Sequence, residues 1–241
     1  MPKPERTTYY PVMLDLKGKP CIVIGGGAVA ERKTASLLEA EAEVTVVSPE
    51  CTEQLNAWAD AGVIRCHKAE YSEGLPELAD AVLIFAATDR SDVNERVRRE
   101  AAALGKLVNA ADDGGEGGFI LPAVVRRGRL TLAVSTGGAS PGLASRLRSQ
   151  LEETFDDAYE PYLDLLYRLR TMLQSQVALP RERQQMMRAA LAWDLLGPMR
   201  DGRWPAERSE ELLAHIRRQP TMQGMMEAED WIRQVLRQNG Q

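Results

Sequence analysis

The 241-residue chain contains no stretch approaching the roughly 18 consecutive apolar residues that cross a bilayer, so no membrane span is expected. No signal-type apolar run follows Met1-Pro2-Lys3-Pro4-Glu5-Arg6, which predicts a cytoplasmic protein. Cysteine is scarce. Cys21, Cys51 and Cys66 are odd in number, lack CxxC spacing and fall in or beside apolar runs, which predicts reduced, buried thiols and no disulfide framework. Histidine is scarcer still: with only His67 and His215, and no HExxH or Cys/His cluster, no metal site is expected. The net charge of −5 argues against a nucleic-acid partner held by a globally basic surface. Acidic residues are missing altogether from Gly117 to Leu151, where Arg126, Arg127, Arg129, Arg146 and Arg148 all fall. One-signed charge over so long a stretch points to an anionic ligand or partner; the alternative is a solvated strand and helix face.

Short apolar runs recur over the first 110 residues at Cys21–Ile24, Val44–Val47, Val63–Cys66, Ala81–Phe85 and Leu107–Val108, with longer connections between them. Most are apolar enough to be buried on both faces, and Arg65 marks the third as an edge. That rhythm predicts a parallel sheet covered by helices, two of them over Ala28–Glu41 and Asp92–Leu104. From Phe119 to Val134 the pattern changes to two strands joined by a tight turn around Gly128. Ser140 then serves as an N-cap with Pro141 at the first helical position, opening a helix through Leu143, Leu147 and Leu151. Beyond Phe155 only helical periodicity remains, over Tyr159–Leu169, Met186–Leu196, Glu210–Ile216 and Met225–Leu236, punctuated by Pro180, Gly197-Pro198, Trp204-Pro205 and Pro220. The fold class is therefore α/β: a Rossmann-like parallel sheet over residues 1–116, a strand-and-helix region over 117–154 and a small all-helical domain over 155–241.

Directly after the first strand, Gly25-Gly26-Gly27-Ala28-Val29-Ala30 fits GxGxxA through Gly25, Gly27 and Ala30. The first glycine permits a tight turn, the second lets backbone approach a pyrophosphate, and the small Ala30 lets helix and strand pack closely. Amides of Ala28 and Val29 at the helix start then face the phosphates. The expected cofactor is NAD. At the end of the second strand, Ser48-Pro49-Glu50 supplies one carboxylate, Glu50, that can accept from the ribose hydroxyls and repel a 2′-phosphate, with Ser48 sharing the contact. Otherwise Glu50 is an acidic residue in the first turn of the next helix. Ala87 and Thr88, in Ala86-Ala87-Thr88-Asp89, are small residues at the carboxyl end of the fourth strand, where they either approach the nicotinamide or cap the helix that follows.

These motifs lie within a longer set. Tyr10-Pro11-Val12-Met13-Leu14-Asp15-Leu16-Lys17-Gly18-Lys19, the glycine run continuing to Glu31-Arg32-Lys33, Ala86–Asp89, Val93-Asn94, Val108-Asn109 with Asp112, Phe119–Pro122 and Ser135–Pro141 follow one another in an order that resembles the precorrin-2 dehydrogenases of sirohaem synthesis. The resemblance covers roughly residues 9–155. It implies an NAD-dependent oxidation of precorrin-2, a carboxylate-rich tetrapyrrole, to sirohydrochlorin, with a hydride leaving to NAD and a proton to a base. It implies a homodimer formed through the 117–154 region, and several family members also insert ferrous iron as a substrate. The family's aspartate falls on Asp112, with Asp113 beside it, and the substrate-side loop on Ser135, Thr136 and Gly137. Without the resemblance, Asp112-Asp113-Gly114-Gly115 passes as a turn and Ser135–Gly137 as a glycine-rich connection. Two other functions fit the same residues: an NAD-sensing regulatory domain that performs no chemistry, and a chelatase alone. The first would not need the arginine-bearing segment, and the second lacks paired histidines.

Overall fold

A computed structural model describes residues 8–110 and 118–238. The chain divides into two compact units, Met1–Leu121 with Gly137–Ala139, and Pro122–Thr136 with Ser140–Gln241.

The first unit is a five-stranded parallel sheet in the order β3-β2-β1-β4-β5, built from β1 (Pro20–Ile24), β2 (Glu43–Val47), β3 (Arg65–His67), β4 (Leu83–Ala86) and β5 (Leu107–Ala110). Its helices are α1 (Ala28–Glu39), α2 (Glu53–Asp60), α3 (Pro76–Asp80) and α4 (Ser91–Ala103). Strand alternation divides the apolar residues into two cores. Cys21, Val23, Val44, Val46, Leu83 and Phe85 meet Ala30 and Leu37 of α1 and Leu55 of α2. Ile22, Ile24, Ile84 and Ala86 meet Leu78 of α3 and Val93, Val97 and Ala101 of α4. Because β1 is buried on both faces, it reads as an unbroken apolar run. The edge position expected for the Arg65 strand is observed, but the strand is Arg65–His67 instead of Val63–Cys66. The amides of Val63 and Ile64 donate to the carbonyl of Trp58, in the last turn of α2, and are not available to the ladder.

The second unit begins with an antiparallel hairpin, β6 (Ala123–Arg127) and β7 (Leu130–Val134), turning through Gly128 at φ +54°. Of the expected Phe119–Val125 strand only Ala123–Val125 enters the ladder, which runs on through Arg126 and Arg127, residues expected in the turn. Helix α5 (Pro141–Thr154) starts as expected, with the Ser140 hydroxyl accepting from Leu143 N at 3.2 Å. Five further helices follow: α6 (Tyr159–Gln176), α7 (Pro180–Leu191), α8 (Leu196–Arg200), α9 (Ala206–Arg218) and α10 (Met222–Gln238). They close over one apolar core of Leu165, Leu169, Leu173, Met186, Leu212, Ile216, Met225 and Ile232, with Trp193 and Trp204 inside it. The predicted Met186–Leu196 helix is two elements, since α7 ends at Leu191 and α8 begins at Leu196. No helix among the described residues is long and apolar enough to cross a membrane, and no group of three His, Cys, Asp or Glu among them is placed to hold a metal ion.

Candidate functional site

In the first unit β1 pairs with β2 on one side and with β4 on the other, so successive connections leave β1 in opposite directions along the sheet. A crevice outside the carboxyl ends of β1 and β4 is where doubly wound sheets take their ligands. The turn there divides its three glycines by physical requirement. Gly25 has φ +122°, and a Cβ on it would stand 2.4 Å from the Ala87 carbonyl oxygen. Gly26 donates no such freedom but is hemmed in: its Cβ would fall 1.9 Å from the Glu50 carbonyl oxygen, and its own carbonyl accepts from Thr52 N at 2.9 Å. Gly27 is different. Its backbone is extended, at φ −85° and ψ −173°, and a Cβ there would meet nothing within 4 Å. The protein's own packing therefore asks for glycine at 25 and 26, and leaves open space at 27.

Gly27 is also the N-cap of α1, and no side chain caps that helix. Ala28 and Val29 occupy its first turn, where backbone amides have no intrahelical acceptor and the helix dipole is positive. Ala30 is wholly buried against the sheet. An uncapped helix start above an open glycine is a cradle for an anionic group such as a pyrophosphate.

Two loops wall this cradle. Ser48 is buried and its hydroxyl donates to the Glu50 carbonyl at 2.6 Å, so the group expected to reach a ribose holds the loop in shape. Pro49 and Glu50 are exposed beyond it. Glu50 precedes the helix, for α2 begins at Glu53 behind the N-cap Thr52, whose hydroxyl accepts from Leu55 N at 3.3 Å. On the other side Ala87 N donates to the Ile24 carbonyl at 2.8 Å. Thr88 is fixed by Asn94, a buried residue of α4: Asn94 Oδ1 accepts from Thr88 N at 3.2 Å and from its hydroxyl at 2.7 Å, and Asn94 Nδ2 donates to the Thr88 carbonyl at 3.0 Å. Thr88 is not the cap of α4, whose N-cap is Arg90 with no side-chain cap bond. Lys33 on α1 sets its ammonium 5.8 Å over the Phe85 ring, and burial, with Arg32 beside it, lowers its pKa.

Gly25, Gly27, Ala28, Val29, Ser48, Pro49, Glu50, Ala87 and Thr88 thus come together at one end of the sheet. Gly26 and Asn94 belong with them and were not singled out by the motif, which treats position 26 as free. Asp112 lies outside the described residues. It follows β5, whose Asn109 Nδ2 donates to the Phe119 carbonyl at 3.0 Å. Ser135 and Thr136 belong to the second unit, where the Thr136 hydroxyl donates to the Ser140 carbonyl and accepts from Ser140 N, both at 3.1 Å. Gly137 has φ +60°.

The arginines of the acid-free segment are largely answered within the second unit. Arg127 Nε lies 3.0 Å from Asp157, Arg129 Nε 3.5 Å from Asp164, and Arg148 3.6 Å from Glu152, while the Arg129 guanidinium stacks 3.5 Å from the centroid of Tyr167. The charge run is compensated by acids just past its end. Its composition by itself therefore does not define an anion site.

Residues 12–123 match a family model described as putative NAD(P)-binding, and residues 127–154 match one described as the central part of a sirohaem biosynthesis protein. A siroheme synthase of Nitrosococcus oceani is 43% identical over 176 residues, covering 73% of this chain and 37% of that protein. The chain thus spans about a third to two fifths of the siroheme synthases it matches. A precorrin-2 dehydrogenase of Priestia megaterium is 37% identical over 164 residues, covering 68% of this chain and 80% of that one. The solved structure of SirC, a precorrin-2 dehydrogenase, superposes with a TM-score of 0.68 at 30% identity, over 80% of this chain and 98% of that one.

Proposed function

This chain belongs to the precorrin-2 dehydrogenase family, and on that premise we propose that it oxidises precorrin-2 to sirohydrochlorin with NAD as hydride acceptor. The observation that carries the reading is Gly27, a glycine that no protein contact requires, at an uncapped helix start beside the crevice of a parallel sheet. A pyrophosphate over Gly25 and Gly27 meets the amides of Ala28 and Val29. The exposed Glu50 carboxylate accepts from ribose hydroxyls and repels a 2′-phosphate, which favours NAD over NADP, while Ser48 and Pro49 hold the loop that presents it. Ala87 and Thr88 leave room on the nicotinamide side. When bound, the nicotinamide ring supplies the hydride acceptor.

Asp112, two residues past β5, accepts the proton that leaves precorrin-2. Ser135, Thr136 and Gly137 bind a substrate carboxylate through a hydroxyl and backbone amides near the start of α5. Residues 1–116 form the nucleotide domain, 117–154 the dimerisation region and 155–241 the helical domain. The homodimer is supported by α5, none of whose residues is buried within the chain, and by the partly exposed hairpin beside it. The test is incubation of the protein with precorrin-2 and NAD, with and without ferrous iron, followed by absorption spectra. NADH and sirohydrochlorin should appear together without iron, and the iron arm reads chelation separately. NAD binding without turnover of precorrin-2 would identify a sensing module instead.

A further inference from the structure

Cys51 and Cys66 are 15 residues apart in sequence, yet their sulfurs lie 3.5 Å from each other. Cys51 sits in the loop after β2, and Cys66 in the edge strand β3 opposite Val46. Both are partly exposed, unlike Cys21, which is buried in the sheet. The sequence led to an expectation of reduced, buried thiols; the fold makes two of them a neighbouring pair, both partly exposed. We propose that Cys51 and Cys66 are a reversible thiol–disulfide site, and that closing it loosens the dinucleotide held by the adjoining loop.

The two sulfurs are already in contact. A disulfide needs sulfurs about 2.0 Å apart, so they must approach by roughly 1.5 Å, a displacement within reach of side-chain rotation and a small loop shift. Cys66 is held by the sheet, since β2 and β3 are hydrogen-bonded on either side of it. The motion therefore falls on the Cys51 loop. That loop is what packs against the glycine turn: the Glu50 carbonyl closes the space above Gly26, Thr52 N donates to the Gly26 carbonyl, and Asn56 Nδ2 donates to the Cys51 carbonyl at 3.0 Å. Drawing Cys51 toward β3 moves the Glu50–Cys51 peptide relative to Gly26 and shifts the Glu50 side chain with it.

Burial, together with the Cys66 thiol beside it, pushes the Cys51 thiol up to about 11, while Lys68 works in the opposite direction. Exchange can start at either sulfur. The thiolate of one cysteine attacks a small-molecule disulfide such as oxidised glutathione, forming a mixed disulfide and releasing one small thiol. The other cysteine then gives up its proton and attacks the protein sulfur of that mixed disulfide, releasing the second small thiol. Two protein thiols are oxidised and one external disulfide is reduced to two thiols.

The bond does not depend on the function proposed above; the coupling to the dinucleotide does. The full chain would be equilibrated in glutathione mixtures of rising oxidised fraction, its free thiols alkylated, and its intact mass and peptides measured, with NAD affinity determined by calorimetry on the same samples. The expected result is loss of the mass of two hydrogens, a Cys51–Cys66 peptide pair, an alkylatable Cys21 after denaturation, reversal by dithiothreitol, and an NAD dissociation constant about fivefold or more higher in the oxidised form. By reciprocity, saturating NAD should displace the glutathione midpoint by the same factor. Cys51→Ser and Cys66→Ser should each abolish both effects. Glutathione adducts without a Cys51–Cys66 bond would overturn the site. A bond that leaves NAD affinity unchanged would overturn the coupling. Reduced protein that binds no NAD, while still forming the bond, would sink the dinucleotide reading and leave the thiol site standing.

Discussion

Replacing Gly27 by Asp separates binding from folding more cleanly than any other change in the glycine turn. At Gly25 a side chain meets φ +122° and the Ala87 carbonyl at 2.4 Å, and at Gly26 it meets the Glu50 carbonyl at 1.9 Å. Alanine at either position should destabilise the first unit, by about 1–3 kcal/mol for backbone strain at 25 before any clash is counted. At 27 the backbone is one that any residue adopts and the space is open. Asp is also a favoured N-cap, so stability should hold within about 0.5 kcal/mol or rise slightly. Binding should suffer twice. The new carboxylate accepts from the same first-turn amides that a pyrophosphate needs, and a lost charge-assisted hydrogen bond is worth about 1.5–3 kcal/mol. Like charges about 5 Å apart at an effective dielectric near 20 repel by roughly 3 kcal/mol, of which solvent at this exposed turn leaves about half. The sum, about 3–4.5 kcal/mol, predicts a 10²- to 10³-fold weaker NAD affinity by calorimetry, with an unchanged urea midpoint. Undiminished affinity in a folded Gly27→Asp protein would refute the cradle. A protein destabilised as much as Gly26→Ala would refute the division of roles among the glycines.

Asp112→Asn should slow NAD-dependent oxidation of precorrin-2 by about 10²- to 10⁴-fold with little change in NAD affinity, and Asp113→Asn should be mild; the reverse outcome would move the base by one residue. Asn94→Ala strips the acceptor from Thr88 N and its hydroxyl, which should cost about 1–3 kcal/mol in denaturant titration and raise the KM for NAD; an unaffected KM would show that the Thr88 loop holds its shape without Asn94. Arg200 beside Asp156, and Arg168 beside Glu210, hold those carboxyls below their ordinary 3.8 and 4.5. Their contribution is present above those values and is lost as pH falls through the lower folded values, so the urea midpoint should drop below about pH 4 and drop less steeply in Glu210→Gln. Sedimentation at micromolar concentration should give a two-fold dimer, and a monomer would remove the proposed role of the 117–154 region.

The parallel sheet was legible because burial on both faces of β1, β2 and β4 leaves a continuous apolar run, which composition alone exposes. The start of α5 was legible because Ser140 and Pro141 each act locally. Where residues were misread, a non-local partner had claimed them. Val63 is apolar by type but half exposed, and its amide closes α2. Phe119 is strand-like, yet its carbonyl belongs to Asn109, and Pro122 has no amide to give a ladder. Trp193 turns into the helical core in a non-helical conformation, and Pro198 cannot extend α7, so a periodic stretch breaks in two. The same limit applies to the candidate site. GxGxxA marks Gly25 and Gly27 by spacing, but the need for Gly26 comes from a carbonyl 24 residues away, and Asn94 is tied to Thr88 from the far side of a turn.

The acid-free arginine segment shows what a charge count conceals. An exposed ion pair is worth about 0–1 kcal/mol, so pairing alone does not remove an arginine from use by a ligand. What matters is which partner is easily replaced. Arg148 and Glu152 lie on one helix at i,i+4 and are similarly exposed, an arrangement that forms with or without a ligand. Arg129 is additionally stacked on Tyr167, which fixes its guanidinium to α6. Arg127 differs from both: its side chain is 23% exposed while that of Asp157 is 97% exposed, and its Nε is buried and 3.0 Å from Asp157 without a hydrogen bond of good geometry. Its guanidinium is instead held by backbone, Nη1 donating to the Arg126 carbonyl at 2.8 Å and Nη2 to the Glu152 carbonyl at 3.5 Å. Arg127, Arg129 and Arg148 are thus answered in three different ways by acids just past the end of the run, which is why a count of one-signed charge does not by itself make an anion site.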